Sequence, residues 1–102
     1  MPPDIRGKWQ LVIIQGNRQG LVIPLTKKRL LLGRNPDVGI DLEDPGISRQ
    51  HCSIEYINGR WFISDLESKN GTFVNGEKIT RRALTEGDKI ELGLTTLVVE
   101  VV

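Results

Sequence analysis

Four short motifs hold most of the side chains that could bind or transform a ligand. They are Gly33-Arg34, Ser48-Arg49-Gln50-His51, Ser68-Lys69-Asn70-Gly71-Thr72 and Asn75-Gly76. Together they offer an arginine fork, hydroxyls and amides, which are donors suited to the oxygens of an anion such as phosphate. They also include a serine and a histidine, which a hydrolase could use as nucleophile and base. Each motif alone is a weak signal, because loops commonly carry these residue types.

The catalytic interpretation finds little support in the sequence. Ser48 does not lie in a Gly-x-Ser-x-Gly elbow, and the chain has no Walker-type glycine-lysine loop. The single histidine, His51, and the single cysteine, Cys52, are neighbours, and neighbours on a strand point to opposite faces. A metal site needs three or four ligands, which one histidine and one cysteine do not supply. We therefore predict no catalytic residue, no metal site and no cofactor.

Short β-like segments separate the motifs. Apolar or alternating residues occupy 9–14, 21–25, 30–32, 40–42, 52–57, 61–66, 73–74, 89–92 and 95–102. Asn58-Gly59 predicts a tight hairpin, and Asn35-Pro36-Asp37 predicts a turn. No window of about 11 residues carries a helical apolar stripe. Short strands at near-regular spacing are typical of an all-β sandwich.

In this order, and between these strands, the four motifs resemble the forkhead-associated (FHA) domain, a module that binds phosphothreonine peptides. The resemblance covers the chain from about Trp9 to Val102. It implies an 11-stranded, FHA-like β-sandwich of two twisted, antiparallel-rich sheets with the binding loops at one end. Residues 1–8 are polar and are predicted to be a flexible lead-in or a cloning remnant. Residues 9–102 are predicted to be the FHA-like domain.

The resemblance implies phosphopeptide contacts for Arg34, Ser48, Arg49, Lys69 and Asn70. Arg34 would be the principal phosphate contact, because its planar fork matches phosphate oxygens in pairs. Ser48 would add its hydroxyl and its backbone N–H, and Asn70 would bond the peptide backbone. From residue type alone, Arg34 and Arg49 would be interpreted as solvated surface arginines, and Ser48 as an ordinary loop residue; the combination of the motifs favours the binding roles. Lys69 either contacts the phosphate or is solvated.

The resemblance implies supporting roles around the binding residues, for Gly33, His51, Gly71, Thr72, Asn75 and Gly76. His51 would brace the binding loops through hydrogen bonds, and Ser68 and Thr72 would hold their own loop by local bonds. Asn75 is equally consistent with simple turn chemistry, because asparagine before glycine tolerates positive φ. The loop 44–47 carries no arginine and Gly46 has no side chain, so the residue preferred three positions after the phosphothreonine is left open.

Composition bounds the class of protein. A chain of 102 residues with 38% apolar and 26% charged residues is typical of one globular domain. The net charge of +1 argues against nucleic acid and anionic membranes, although Lys27-Lys28-Arg29 and Arg81-Arg82 are small basic clusters. No apolar run approaches the roughly 20 residues of a membrane span. A single cysteine and the lack of a signal peptide favour a reducing, cytoplasmic location.

The sequence therefore predicts a phosphothreonine-dependent binding module without enzymatic activity. It would act as a signalling adaptor domain of a larger protein, since the chain stops within an apolar strand. Its partner would be a phosphothreonine-containing protein or peptide, with no nucleic acid or membrane involved, and the isolated domain would be monomeric. The alternative is an FHA-like scaffold that binds an unphosphorylated protein surface. The presence of both Arg34 and Ser48 favours the first interpretation.

Overall fold

The computed structural model describes residues 8–34 and 39–102, which form eleven β-strands. These are β1 (Trp9–Gln15), β2 (Val22–Pro24), β3 (Arg29–Gly33), β4 (Gly39–Asp41), β5 (Cys52–Ile57), β6 (Arg60–Asp65), β7 (Thr72–Val74), β8 (Glu77–Lys78), β9 (Arg81–Ala83), β10 (Lys89–Leu92) and β11 (Thr95–Val101). The predicted turn at 35–37 and all but Lys8 of the predicted lead-in lie outside the described residues. Those described contain no helix that is long and apolar enough to span a membrane.

The strands form two sheets, which confirms the predicted all-β sandwich. A six-stranded sheet has the order β2-β1-β11-β10-β7-β8, and a five-stranded sheet has the order β4-β3-β5-β6-β9. The pairing of β3 with β4 is parallel, and the other described pairings are antiparallel. Strands β1 and β11 pair from Trp9↔Val101 to Gln15↔Thr96, with one irregularity. The first and last strands are therefore neighbours in the middle of one sheet.

The core lies between the sheets and follows the alternation of the strands. In β10, for example, Ile90 and Leu92 are buried while Lys89 and Glu91 are exposed. The inner faces bury the side chains of Leu11, Ile13, Ile23, Leu32, Cys52, Ile54, Trp61, Ile63, Val74, Ile90, Leu92, Leu97 and Val99. Each fully buried aliphatic side chain stabilises the fold by about 1.5–3 kcal/mol. This core makes the sandwich a stable base for the loops at its ends.

Two short strands, β8 and β9, were not predicted from the sequence. Strand β8 has only two residues, and Asn75-Gly76 turns the chain so that Glu77 pairs with Val74. Strand β9 is an edge strand whose charged sequence gives no alternating apolar pattern. Its Arg81 guanidinium lies 4.6 Å from the centre of the Phe62 ring, a cation–π contact across the sheet. Strand β9 is thus produced by long-range pairing with β6, whereas β8 is produced by the local hairpin at Asn75-Gly76.

Strand β3 ends at Gly33, where the chain passes extremely close to the loop between β4 and β5. A Cβ atom at Gly33 would lie 1.9 Å from the Arg49 carbonyl oxygen, so only glycine fits. The next residue, Arg34, donates its backbone N–H to the carbonyl oxygens of Ser48 and Arg49, both at 3.2 Å. This close approach places Arg34 beside Ser48.

We expect Gly33→Ala to lower the free energy of unfolding by about 3 kcal/mol or more, because the new methyl group forces two backbone segments apart. Gly59→Ala is a suitable control. Gly59 has a φ of 82° and open space around it, so alanine there adds only backbone strain of about 1–2 kcal/mol. Urea unfolding of both variants measures the difference. Equal losses in the two variants would show that the approach at Gly33 is not a tight constraint.

Candidate functional site

Three loops meet at one end of the sandwich and enclose an open pocket of about 640 Å³. They are Arg34 at the end of β3, the loop between β4 and β5, and the loop between β6 and β7. The pocket is lined by Arg34, Pro45, Gly46, Ile47, Ser48, Arg49, Gln50, Leu66, Lys69 and Asn70. The structure therefore brings together all five residues for which the sequence implies ligand contacts.

Arg34 is exposed, and its side chain is oriented by a backbone carbonyl. Its Nε donates to the carbonyl oxygen of Ile47 at 3.1 Å. A guanidinium has five N–H donors in one plane, and this bond uses one of them. The remaining donors belong to the two terminal nitrogens, which are the pair that binds phosphate oxygens bidentately. The bond to Ile47 thus restrains the fork at the pocket.

Ser48 joins two of the loops and keeps its hydroxyl hydrogen available. The backbone N–H of Lys69 donates to Ser48 Oγ at 2.9 Å. A hydroxyl that accepts one hydrogen bond can still donate its own hydrogen. The backbone N–H of Ser48, which we expected to contact the phosphate, instead donates to Nδ1 of His51 at 3.0 Å. The hydroxyl is therefore the donor that Ser48 presents to the pocket.

His51 is fully buried, and both of its ring nitrogens are occupied. Nδ1 accepts the Ser48 N–H, and Nε2 lies 2.8 Å from the carbonyl oxygen of Gly71. A backbone N–H can only donate and a carbonyl can only accept, so the two partners require a neutral imidazole with its hydrogen on Nε2. His51 therefore braces two loops. It has no free nitrogen with which to act as a base or a metal ligand.

Asn70 and Gly71 complete the loop between β6 and β7. Asn70 Nδ2 donates to the carbonyl oxygen of Gly46 at 2.8 Å, which bridges the pocket from one loop to the other. Gly71 has a φ of 89°, and a Cβ atom there would lie 3.0 Å from Lys78 Cε. Its N–H donates to Ser68 Oγ at 3.0 Å. The loop is thus held at consecutive residues.

Asp65, the last residue of β6, holds the loop between β6 and β7 through hydrogen bonds. Its carboxylate accepts the hydroxyl of Ser68 at 2.5 Å, the hydroxyl of Thr72 at 2.7 Å and the backbone N–H of Ser68 at 3.2 Å. Burial by itself raises the pKa of Asp65, but the hydrogen bonds from Ser68 and Thr72 outweigh it and hold the pKa below its usual value. The ionised carboxylate therefore stabilises the loop.

Asp44 has the same role in the loop between β4 and β5. It is only 2% exposed, and its Oδ1 accepts the N–H of Gly46 at 2.8 Å. Its Oδ2 accepts the N–H of Leu94 at 2.8 Å and the hydroxyl of Thr95 at 2.7 Å. Burial by itself raises the pKa of Asp44, but the hydrogen bonds from Thr95, Gly46 and Leu94 lower it by more. The pKa of Asp44 therefore lies below its usual value. The pocket loop is thus tied to the turn between β10 and β11.

Asn75 and Gly76 do not reach the pocket. Asn75 Nδ2 donates to Asp88 Oδ1, and Asn75 Oδ1 accepts the backbone N–H of Lys89, both at 2.9 Å. These bonds lie at the other end of β7 from Gly71. Asn75 and Gly76 therefore shape the turn between β7 and β8, and Asn75 ties that turn to the start of β10. The resemblance had implied instead that this pair supports the binding loops.

Comparison with known proteins agrees with this geometry. The family model of the FHA domain matches residues 30–93. The chain belongs to the FHA family. The glycogen accumulation regulator GarA of Mycolicibacterium smegmatis is 34% identical over 92 residues, which cover 90% of this chain and 58% of GarA. The chain spans 58–65% of the length of the curated relatives that it matches.

Solved FHA structures match over nearly the whole domain. One, from a structural and functional analysis of phosphothreonine-dependent FHA domain interactions, is 29% identical with a TM-score of 0.84 and covers 93% of this chain and 97% of its own. EmbR of Mycobacterium tuberculosis, solved with a low-affinity phosphopeptide, is 28% identical with a TM-score of 0.85. That match covers 93% of this chain and 24% of EmbR.

Two structural residues of this FHA domain, Asp44 and Asp65, were missed by sequence reasoning. Asp44 had a local signal, because an aspartate two residues before a glycine N–H is typical of an Asx-turn. Asp65 had none, since its partners Ser68 and Thr72 meet it only through the turn of the loop. Leu66, another residue of this loop, lines the pocket and adds apolar surface to it.

We expect Asp65→Asn to destabilise the FHA domain at neutral pH by about 1–3 kcal/mol, because charged hydrogen bonds are lost. The folded-state pKa of Asp65 lies below its unfolded value of about 3.9, so its stabilisation is present above that value and disappears as pH falls through the folded pKa. The gap between wild type and variant should therefore shrink between about pH 5 and pH 2. Urea unfolding at several pH values measures it.

The exposed Glu91 of β10 provides the control for this experiment. Glu91→Gln should leave the free energy of unfolding within about 0.5 kcal/mol of wild type at neutral pH. A gap between wild type and Asp65→Asn that stays constant down to the lowest pH would contradict the role of the ionised carboxylate.

Proposed function

We propose that this FHA domain, formed by residues 9–102, binds phosphothreonine peptides through Arg34, Ser48, Arg49, Lys69 and Asn70. One observation carries the proposal: three cationic side chains and the Ser48 hydroxyl line a single pocket. Among the described residues that line it, none is acidic. A phosphothreonine carries about −1.5 to −2 charges and three acceptor oxygens, so it complements such a donor set. The phosphopeptide complex of EmbR and the phosphothreonine-dependent FHA interactions support the same assignment.

The donors approach the phosphate from different loops. Arg34 comes from the end of β3, Ser48 and Arg49 from the loop between β4 and β5, and Lys69 from the loop between β6 and β7. Loops on a rigid scaffold commonly carry binding residues, because the scaffold fixes their relative positions. Leu66 lines the same pocket and is partly exposed, so it offers apolar surface for the γ-methyl group of threonine.

The proposed role is binding rather than catalysis. His51, the only histidine, is buried, and its two ring nitrogens are bonded to the Ser48 N–H and the Gly71 carbonyl, so it is not placed to accept the hydrogen of the Ser48 hydroxyl. Within a longer protein, the domain would act as an intracellular adaptor that recruits a phosphorylated partner. GarA bears the name of a regulator, which is consistent with such a role.

We expect affinity to depend on both the phosphate and the arginine. Arg34→Ala should weaken binding of a phosphothreonine peptide by about 2 kcal/mol or more, because a paired, charge-assisted contact is lost. Arg60→Ala, at an exposed arginine beside the β5–β6 hairpin, should leave affinity unchanged. In the same titrations, phosphoserine should bind roughly 4- to 20-fold more weakly than phosphothreonine, since one buried methyl group is lost.

Aspartate and plain threonine peptides complete the series. Aspartate should bind poorly, because a carboxylate has less charge and fewer acceptor oxygens than phosphate. Calorimetry with a peptide selected from a phosphothreonine-oriented library measures all four forms. Equal affinity for phosphothreonine and plain threonine would refute phosphate recognition and favour the scaffold that binds an unphosphorylated surface. Equal affinity for phosphothreonine and phosphoserine would refute only the methyl contact.

A further inference from the structure

An apolar groove of about 310 Å³ lies along one side of the sandwich. It is found where β2, the end strand of the six-stranded sheet, faces β3 and β4 of the other sheet. Leu21, Leu30 and Ile40 pack against the core but are only half-buried, and all three line this groove. Among the described residues, the groove and the phosphate pocket share no lining residue. The groove is therefore a separate surface, at which part of the core remains uncovered.

Strand β2 also leaves one of its backbone edges unpaired beside the groove. Its bonds to β1 use odd-numbered residues, since the Ile13 N–H donates to the Leu21 carbonyl at 3.0 Å and the Leu25 N–H donates to a β1 carbonyl at 2.9 Å. Successive residues of a strand direct their backbone groups to opposite neighbours. The N–H and C=O of Val22, and the C=O of Pro24, therefore point away from β1.

An extended segment of a partner would satisfy this edge by pairing antiparallel with β2. Its residue opposite Val22 would exchange two hydrogen bonds with Val22, and the residue two positions earlier would donate to the Pro24 carbonyl. The side chain opposite Val22 would face solvent, as Val22 does at 46% exposure. The side chains before and after it would point to the other face and cover Leu30 and Ile40. Apolar residues fit these two positions.

The charges at the groove favour an acidic segment over a second copy of this chain. The charged residues that line it are Arg18, before β2, and Lys27, after β2, and no described lining residue is acidic. Arg18 is paired with Glu43 at 3.2 Å, whereas Lys27 has no ion pair among the described residues. Two β2 edges paired antiparallel would bring Lys27 of one copy towards Arg18 of the other. Lysine and proline at a sheet edge disfavour such self-pairing.

We propose that the β2 edge binds an extended, unphosphorylated segment of a protein partner, which carries alternating apolar residues flanked by acidic ones. The segment adds a strand to the six-stranded sheet, so main-chain bonds supply affinity and the groove supplies specificity. This interaction goes beyond the proposed function and does not depend on it. A partner that also carries phosphothreonine engages two surfaces at once, which raises its overall affinity.

A phage-displayed library of random peptides, each of about nine residues so that it can form a strand, tests the proposal. Selection uses the wild-type domain, and an enriched peptide is then titrated against variants. Val22→Pro removes the outward N–H, and proline is tolerated in edge strands. Val22→Thr is the matched control, because it changes the side chain but keeps the N–H. Lys27→Glu reverses the charge at an exposed position. Thermal unfolding checks that each variant is folded.

Enriched peptides should carry apolar residues two positions apart, with Asp or Glu beside them. Val22→Thr should bind such a peptide as wild type does, and Val22→Pro roughly 3- to 10-fold more weakly, the effect of one lost backbone hydrogen bond. Lys27→Glu should weaken binding at low salt, and added salt should narrow its difference from wild type. An excess of a phosphothreonine peptide should not displace the enriched peptide.

Three results would overturn the proposal. They are a selection that enriches no such peptide, an enriched peptide that a phosphothreonine peptide displaces, and equal affinity of wild type and Lys27→Glu or folded Val22→Pro. Dimerisation of the wild type that Lys27→Glu strengthens would show that a second copy occupies the edge instead. Failure of phosphothreonine peptides to bind would refute the proposed function alone, because the selected peptides carry no phosphate.

Discussion

The imidazole of His51 is the contact on which the binding end of this domain depends. It joins the Ser48 N–H, in the loop between β4 and β5, to the Gly71 carbonyl, just before β7. Strands β4 and β5 belong to one sheet and β7 to the other, so one buried side chain spans the sandwich. Since buried polar groups are costly when unpaired, the two bonds are maintained together or lost together. This buried contact fixes the relative position of the two loops, together with the bonds from the Lys69 N–H to Ser48 Oγ and from Asn70 to the Gly46 carbonyl.

Two ionised aspartates, Asp44 and Asp65, hold the two loops that His51 joins. Asp65 fixes the loop that carries Lys69 and Asn70, and Asp44 fixes the loop that carries Ser48 to the β10–β11 turn. Each carboxylate accepts at least three hydrogen bonds, which explains its lowered pKa despite burial. The cationic donors therefore stand on loops that are ordered before any ligand arrives. Such preorganisation reduces the entropy lost on binding.

Local alternation of residues was sufficient to predict the sandwich, whereas the five side chains of the pocket were located through the resemblance of the motifs to the FHA domain. Alternating residues define strands such as β10, and the motif around Ser48 is contiguous. Strands β8 and β9 were missed, because their charged residues show no apolar alternation. Strand β9 forms through pairing with the distant β6, and β8 has only two exposed residues after the Asn75-Gly76 turn. Three features were not predicted, because they depend on how loops from different parts of the chain meet. They are the bond of the Ser48 N–H to His51, the anchoring by Asp65 and the position of Asn75 away from the pocket.

The hydrogen-bonding state of the His51 ring tests directly whether this contact holds the loops of the pocket together. His51 is the only histidine, so the imidazole nitrogen signals of ¹⁵N-labelled protein need no further assignment. Near neutral pH, we expect a neutral ring with hydrogen on Nε2 and with Nδ1 accepting the Ser48 amide. The pattern should be unchanged when a phosphothreonine peptide saturates the site. A hydrogen on Nδ1, in either the free or the bound protein, would show that His51 does not join the two loops in this way.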